Sequence, residues 1–247
     1  MLRTIAAGTV RLDLPGGFVL LTSRPGGRSQ GDFAAPTGGG ANLGDHVGDN
    51  PEAVAANRAR LARLAGKDLA WMQQVHGATV ACGSATTAPR ADALLCGPEL
   101  APAVVVADCV PIGLLAADGS LAAAIHAGRA GLLAGVVEAT IRAARRRRPE
   151  QALTAVVGPA ICGSCYEVPG DMAAAAVAQL PSLACTSRRG TPALDLRAGV
   201  VSELDRLGVA VAYCDPRCTR EDEELYSYRR ASRTGRQALV TVVQHAG

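Results

Sequence analysis

Short apolar runs and helical patterns alternate along the chain. Residues 17–24, with the sequence GFVLLTSR, form an apolar run typical of a strand. A helix is predicted next, because Asn50, Pro51 and Glu52 supply an N-cap, a proline at the first helical position and an acid in the first turn. This helix is predicted to run to about Leu64.

The remainder of the chain is rich in predicted strands. IGLLAA and LAAAIHAG are joined by DGS, which predicts a β-hairpin. Residues 129–148 carry apolar side chains at helical spacing, so one continuous helix is predicted there, and two shorter helices are predicted over DMAAAAVAQL and AGVVSELDRLG. The other predicted strands are LAWMQQVHG, ATVACGS, AVVVADC, the start of AVVGPAICGSCYEV, VAVAYCD and ALVTVVQ.

Strands in adjacent pairs, mixed with helices, favour an α+β fold over a strictly alternating parallel sheet. The chain shows no internal repeat, and no linker divides it. One domain is therefore predicted over residues 1–247.

Composition narrows the class of protein. A hydrophobic content of 49% and a charged content of 19% indicate a globular protein with a sizeable core. The net charge of +3 is too small to suggest nucleic-acid binding. The run of four arginines at 145–148 resembles a nucleic-acid patch, but cations in a last helical turn complement the helix dipole, and Pro149 ends that helix.

No apolar window is long enough for a membrane span, and Arg11 and Asp13 interrupt the N-terminal run that a signal peptide would need. A cytoplasmic location is expected by default. The eight cysteines are then expected to be mostly reduced, which favours metal binding or catalysis over disulfides.

Two histidines and a cysteine occur in the same local setting. His76, Cys109 and His126 each follow a predicted strand at the start of a loop, where backbone can approach a ligand closely. Two histidines and one cysteine make a suitable zinc set that leaves a fourth position open. Their spacing matches no zinc-finger pattern, so each of the three could instead be an ordinary hydrogen-bonded polar residue at a turn. His245, near the C-terminus, is taken as incidental.

Two other features suggest binding. Cys162, Cys165, Cys214 and Cys218 resemble a structural zinc site, although inert buried cysteines are the favoured interpretation. The loop TGGGANLGDHVGDN is glycine-rich like a phosphate cradle, but it matches no standard phosphate-binding motif. Arg24, just before this loop, is either an anion ligand or a surface arginine.

An ordered set of motifs carries a family resemblance. The strings are NLGDHVGDNPEAVAANRARL, QQVHG, ADCVPI, IHAGRAGL, GPAICGSCYEVPGD and CT…LYSYRR…TGRQA. Together they resemble the YfiH/YlmD family of multicopper-polyphenol-oxidase-like ("laccase domain") proteins, now regarded as purine nucleoside phosphorylases. The resemblance implies two mixed sheets packed face to face with flanking helices, a four-layer α/β/β/α arrangement.

The resemblance also implies a site and an activity. It implies that His76, Cys109 and His126 ligate zinc, and that the protein phosphorolyses adenosine, inosine, guanosine and 5′-methylthioadenosine and deaminates adenosine. Zinc with an open position can supply an activated water for such a deamination. Asp108, the carboxylate nearest in sequence, is expected to orient a ligand or shuttle a proton.

Phosphate and substrate contacts are assigned to arginines and one asparagine. Arg24, Asn42 and the glycine-rich loop are the first candidates, and Arg58 is a further one. The family usually has the sequence H-A-G-W-R-G-L at this position, whereas this chain has Arg129 in place of the tryptophan and Ala130 in place of the arginine. Moving the arginine by one residue rotates its guanidinium by about 100° around the start of the helix. Arg129 therefore either reaches the same anion or has lost the contact.

Three alternative functions stay open. A copper-dependent polyphenol oxidase, with Cu2+ in place of Zn2+, needs several copper centres and more than the four histidines present. A peptidoglycan-precursor hydrolase would use Cys109 as nucleophile, for which a zinc-bound thiolate is poorly suited. A binding or scaffold protein with a vestigial site is the third. The expected partners are a nucleoside and phosphate, with neither nucleic acid nor membrane, in a monomer or homodimer.

Overall fold

Two mixed six-stranded sheets dominate the computed structural model, which describes residues 2–244. The strands of the first sheet, in spatial order, are β1 (Leu2–Ala6), β2 (Thr9–Leu14), β3 (Gly17–Thr22), β15 (Gln237–Val243), β8 (Leu100–Val106) and β5 (Asp68–Ala70). Those of the second are β14 (Ala210–Cys214), β11 (Leu153–Val157), β9 (Val110–Ala116), β10 (Ala122–Ala127), β7 (Ala93–Cys96) and β6 (Val80–Cys82).

Smaller elements complete the described chain. A short strand β4 (Pro25–Ser29) precedes the glycine-rich loop, and β12 (Ala184–Thr186) and β13 (Pro192–Leu194) form a separate two-stranded sheet. The α-helices are α1 (Pro51–Ala65), α2 (Arg129–Leu133), α3 (Val136–Arg147), α4 (Gly170–Gln179) and α5 (Leu196–Arg206).

The inner faces of the two sheets pack against each other. Val19, Val104 and Leu239 from the first sheet share one buried cluster with Leu94 and Leu115 from the second. The opposite face of the first sheet packs on α1, and the opposite face of the second sheet packs on α3, α4 and α5. The strands can be apolar throughout, as in β3, because both of their faces are covered. The predicted four-layer α+β fold is confirmed.

Several predicted boundaries agree with the structure. Helix α1 begins after Asn50, whose side chain accepts hydrogen bonds from the N–H groups of Glu52 and Ala53, and it ends at Gly66 in the left-handed region. The hairpin predicted at DGS joins β9 to β10, which pair antiparallel.

Two predictions are wrong. The helix expected over residues 129–148 is broken into α2 and α3, because Gly135 adopts a φ of 84° at the junction. The strand expected over LAWMQQVHG stops at Ala70, and most of the rest of that segment is loop. Residues of this loop are held by hydrogen bonds to the Asp92 side chain in place of the backbone hydrogen bonds of a strand.

Within residues 2–244, no helix combines the length and the apolar character that crossing a membrane requires. His245 lies outside the described residues.

Candidate metal centre and adjoining cavity

His126 lies at the end of a buried strand. It is the penultimate residue of β10 and only 2% exposed. Its Nδ1 atom is 2.8 Å from Oδ1 of Asp92, a fully buried residue just before the neighbouring strand β7. The carboxylate occupies Nδ1, which leaves Nε2 for a ligand.

His76 occupies a strained turn that the same carboxylate organises. Its φ is 59°, a conformation unusual for a residue with a Cβ. Asp92 accepts hydrogen bonds from the backbone N–H groups of His76, at 2.9 Å, and Gly77, at 2.7 Å, and longer ones from Val75. One buried aspartate thus orients one histidine directly and the other through its backbone.

Cys109 lies where the chain crosses between the sheets. Strand β8 belongs to the first sheet and β9 to the second, and residues 107–109 connect them. Asp108 has a φ of 96°, and its carboxylate accepts hydrogen bonds from the Thr219 hydroxyl at 2.6 Å and the Arg229 N–H at 2.7 Å. These bonds hold a backbone that is otherwise unfavourable, and they position the Cys109 thiol.

The three side chains converge into a His–Cys–His cluster (His76, Cys109 and His126). One ligand atom from each lies within 4.8 Å of the others. The Cys109 Sγ to His76 Nε2 distance is 3.8 Å, and the two imidazole centroids are 4.7 Å apart with rings nearly perpendicular. Tetrahedral zinc with bonds of about 2.0–2.3 Å places its ligand atoms about 3.3–3.8 Å apart, so the cluster fits this ion.

Electrostatics favour the ligand form of the thiol. Burial opposes ionisation of Cys109, but hydrogen bonds with His126 and His76 outweigh it and lower the pKa of the thiol to about 6. Burial also disfavours the His126 imidazolium, yet Asp92 and Cys109 raise its pKa to about 9. The pKa of Asp92 is lowered despite burial, because His126 and the Gly77 and His76 N–H groups hydrogen-bond its anion. These shifts favour a Cys109 thiolate next to the positively charged imidazolium of His126.

The cluster forms one wall of a cavity of about 350 Å³. Gln74, Val105 and Val106 form one side, and Gln74 is fixed by two hydrogen bonds with the Val105 backbone. Cations and aromatic rings also line the cavity. The other lining residues are His46, Ala107, Asp108, Tyr166, Tyr228, Arg229 and Arg236.

Tyr166 lies against the guanidinium of Arg229 at the cavity. The Arg229 guanidinium carbon is 4.8 Å from the centroid of its ring. Burial raises the pKa of the Tyr166 hydroxyl, and the charges of Arg129 and Arg229 partly oppose this shift. Arg129, the residue that departs from the family pattern, does not itself line the cavity.

Two predicted phosphate ligands have structural contacts. Asn42 is fully buried, and its amide bonds Gly44, Asp49 and the Arg236 N–H. The Arg24 guanidinium donates to the carbonyls of Ala34 and Glu223. Neither residue is part of the cavity lining, and phosphate binding by them stays a prediction.

Two glycines of the glycine-rich loop are packed closely against neighbouring segments, whereas a Cβ at Gly38 or Gly48 would meet nothing within 4 Å. A Cβ at Gly40 would lie 1.7 Å from the Phe33 carbonyl oxygen and 2.6 Å from the Tyr226 hydroxyl. A Cβ at Gly39 would lie 2.2 Å from the Gly27 carbonyl oxygen. These glycines serve close packing of backbone segments.

Arg58 lies in a second cavity of about 490 Å³ that adjoins the first through His46, Gln74 and Val105. Its guanidinium stacks 4.2 Å from the Trp71 centroid and pairs with Asp45 at 3.1 Å. Of the predicted substrate-binding residues, Arg58 is the one that lines either of these two cavities.

Sequence reasoning missed Asp92 and Arg236. Because Asp108 is close to Cys109 in sequence, it was expected to orient a metal ligand. The carboxylate that contacts the His126 imidazole is that of Asp92, just before strand β7. The TGRQA motif contains Arg236, and LYSYRR contains Tyr228 and Arg229; both motifs were noticed without a site role.

Known proteins resemble this chain over most of its length. A model of the family described as multi-copper polyphenol oxidoreductase laccase matches residues 18–244. A purine nucleoside phosphorylase of Streptomyces coelicolor is 48% identical over 206 residues, which cover 80% of this chain and 85% of that protein. One of Mycobacterium tuberculosis is 46% identical over 228 residues, covering 88% of each chain.

A solved structure shares the fold. The crystal structure of YlmD from Geobacillus stearothermophilus superposes with a TM-score of 0.85 at 29% sequence identity, covering 99% of both chains. The fold, the ordered motifs and the matched relatives agree, and the chain belongs to the multi-copper polyphenol oxidoreductase laccase family, the YfiH/YlmD proteins.

Proposed function

We propose that this protein is a zinc-dependent purine nucleoside phosphorylase, with adenosine, inosine, guanosine and 5′-methylthioadenosine as substrates and adenosine deamination as a second activity. The observation that carries the proposal is the His–Cys–His cluster, oriented by Asp92, at the wall of a cavity that also holds arginines and tyrosines. Relatives 44–48% identical bear the name purine nucleoside phosphorylase.

Zinc bound by His76, Cys109 and His126 would supply a Lewis acid at the cavity wall. The surrounding residues bind and orient the substrate. Tyr228 is 55% exposed at the cavity and offers a flat face for a purine base. Gln74, whose own amide is engaged by backbone, keeps the opposite wall rigid.

Phosphorolysis needs phosphate held against C1′ of the ribose while the bond from C1′ to the purine nitrogen breaks and the base takes up a proton. Arg236 and Arg229 are the arginines that line this cavity. Arg236 is half-buried; burial lowers the pKa of its guanidinium, and Asp108 and Cys109 oppose that shift. We assign phosphate binding to Arg236 and Arg229, with Arg58, at the adjoining cavity, and Arg129 as further candidates.

Asp108 is a positioning residue in this scheme. Both of its carboxylate oxygens accept hydrogen bonds from other segments, which brings the Thr219 and Arg229 loops to the cavity. Its substitution is expected to disturb phosphate binding through Arg229 as well as the placement of Cys109.

The copper oxidase alternative is disfavoured by the donor set. Two histidines and a cysteine also suit copper, but multicopper chemistry needs further centres. Over residues 2–244, the other cluster of potential ligands contains three cysteines and a glutamate and no histidine.

A thiol hydrolase remains a second candidate because of one observation. Cys109, His126 and Asp92 form a chain of thiol, imidazole and carboxylate, the order found in cysteine hydrolases. This function requires a metal-free thiolate, whereas the phosphorylase requires the loaded cluster, so chelation distinguishes them.

The test is to incubate zinc-loaded protein with 5′-methylthioadenosine or adenosine, with and without phosphate, and to separate the products. We expect phosphate-dependent release of free adenine and phosphate-independent formation of inosine from adenosine. Both activities should disappear in His126→Ala and in chelated protein, and Cys82→Ser, which changes an exposed cysteine outside the cavity, should retain them. Release that needs no phosphate, or that survives in His126→Ala, would refute the proposal.

A further inference from the structure

A second group of potential metal ligands lies behind the cavity. Cys162, Cys165, Cys218 and Glu221 each place one ligand atom within 4.8 Å of the others. Cys165 and Cys218 are buried, and Cys165 Sγ lies 3.3 Å from Glu221 Oε1. We refer to these four residues as the cysteine–glutamate cluster.

Two chain segments distant in sequence form this cluster. Cys162 immediately precedes a single 3-10 turn, Gly163–Cys165, and Cys165 ends it, which brings the ends of the C-x-x-C motif to one side. Cys218 pairs with Ala160 in a parallel β-bridge, and the Thr219 N–H donates to the Ala160 carbonyl at 3.2 Å. The backbone therefore holds the third thiol against the first two.

One backbone N–H and one cation lie next to the cluster. The Cys162 N–H donates to the Cys218 sulfur at 3.3 Å. The guanidinium of Arg188 pairs with Glu221 and offsets part of the negative charge. A backbone N–H that donates to sulfur beside a C-x-x-C turn stabilises a thiolate ligand.

We propose that the cysteine–glutamate cluster binds a structural zinc ion, separate from the His–Cys–His cluster. Three thiolates and one carboxylate complete a four-coordinate shell, and a shell of four protein ligands is typical of structural rather than catalytic zinc. Soft sulfur donors select zinc over magnesium or calcium.

The ligand set differs from the one that the sequence suggested. Cys214 lies at the end of β14 and is not a member of the cluster, and Glu221 takes the fourth position. Metal binding replaces the thiol protons, because cysteine binds zinc as the thiolate.

The proposed ion would stabilise the far wall of the cavity. Tyr166, which lines the cavity, directly follows Cys165. Thr219, which donates to Asp108, directly follows Cys218. The ion would thus join the two segments that carry these contacts.

The proposal is tested by counting zinc in full-length protein purified under reducing conditions. We expect two zinc ions per chain in the wild type and one in each of His126→Ala, Cys218→Ser and Glu221→Gln. The matched control Cys214→Ser should keep two. Co2+ added to metal-free His126→Ala should give the visible bands of tetrahedral thiolate coordination, and Cys218→Ser in the same background should abolish them.

Two results would overturn the proposal. One is a single zinc in the wild type that is lost in His126→Ala and kept in Glu221→Gln, a mild substitution chosen in case Cys218→Ser fails to fold. The other is a disulfide among Cys162, Cys165 and Cys218, found by thiol counting before and after reduction of freshly purified protein.

Discussion

A single buried carboxylate, that of Asp92, holds the two histidines of the His–Cys–His cluster. It contacts the His126 imidazole and the backbone of the His76 turn at the same time. A charged acceptor is well suited to several donors at once, because each donor offsets part of the cost of burying the charge. The geometry of the cluster therefore depends on a residue outside it.

The first prediction concerns Asp92→Asn. The amide keeps the size of the side chain but loses the charge and an acceptor, so zinc should bind about 10–100-fold more weakly, as outer-shell substitutions commonly cause. Competition with a chromophoric chelator measures the change. Asp118→Asn, at a surface turn where Asp118 accepts from the Ser120 N–H, is the matched control and should leave affinity unchanged. Equal affinities for both variants would contradict the role given to Asp92.

At the scale of elements, the start of helix α2 is pressed against the His76 turn. A Cβ at Gly128 would lie 2.9 Å from the His76 ring and 3.0 Å from Cys109 Sγ. A Cβ at Gly131 would lie 2.7 Å from the Gly77 carbonyl oxygen. The two glycines of IHAGRAGL therefore permit helix α2 to start beside the candidate metal ligands. In this motif the glycines serve close packing, and His126 is the candidate ligand.

The second prediction concerns Gly128→Ala. The added methyl group must displace His76 or Cys109, so zinc occupancy and nucleoside turnover should fall together while the fold persists. Gly97→Ala is the control, because a Cβ there meets nothing within 4 Å. Zinc content by mass spectrometry, with circular dichroism for the fold, makes the comparison. Full occupancy in Gly128→Ala would show that the contact is easily relieved.

At the scale of the whole molecule, the layer between the two sheets supports the site. The residues that cross from β8 to β9 carry Cys109, and this crossing has a fixed position only while the sheets are packed. Leu239 of β15 is fully buried in the cluster that both sheets share.

The third prediction concerns Leu239→Ala. Removing a fully buried leucine should lower the free energy of unfolding by about 2–5 kcal/mol, through lost apolar burial and the cavity left behind. Leu2→Ala, at a side chain 37% exposed on the outer strand β1, should change it by less than about 0.5 kcal/mol. Urea denaturation gives both values. A similar loss for the two variants would mean that the sheet interface contributes less than its burial implies.

Local patterns were sufficient for much of the fold. Helix α1, with its Asn50 cap and Gly66 end, and the β9–β10 hairpin follow from residues adjacent in sequence. The break at Gly135 and the loop after Ala70 were missed, because apolar spacing continues across both and only packing against other segments decides the backbone there.

The sequence by itself determined the α+β class and the ordered family motifs, which depend on residue type and local order. The family resemblance that those motifs carry implied the three members of the His–Cys–His cluster. Tertiary structure alone decided that Asp92 orients His126, that Asn42 and Arg24 are engaged in packing, and that Glu221 replaces Cys214 beside three cysteines. These outcomes depend on which strands and loops become neighbours when the two sheets pack. Residues far apart in sequence then come into contact, and local sequence patterns do not predict such contacts.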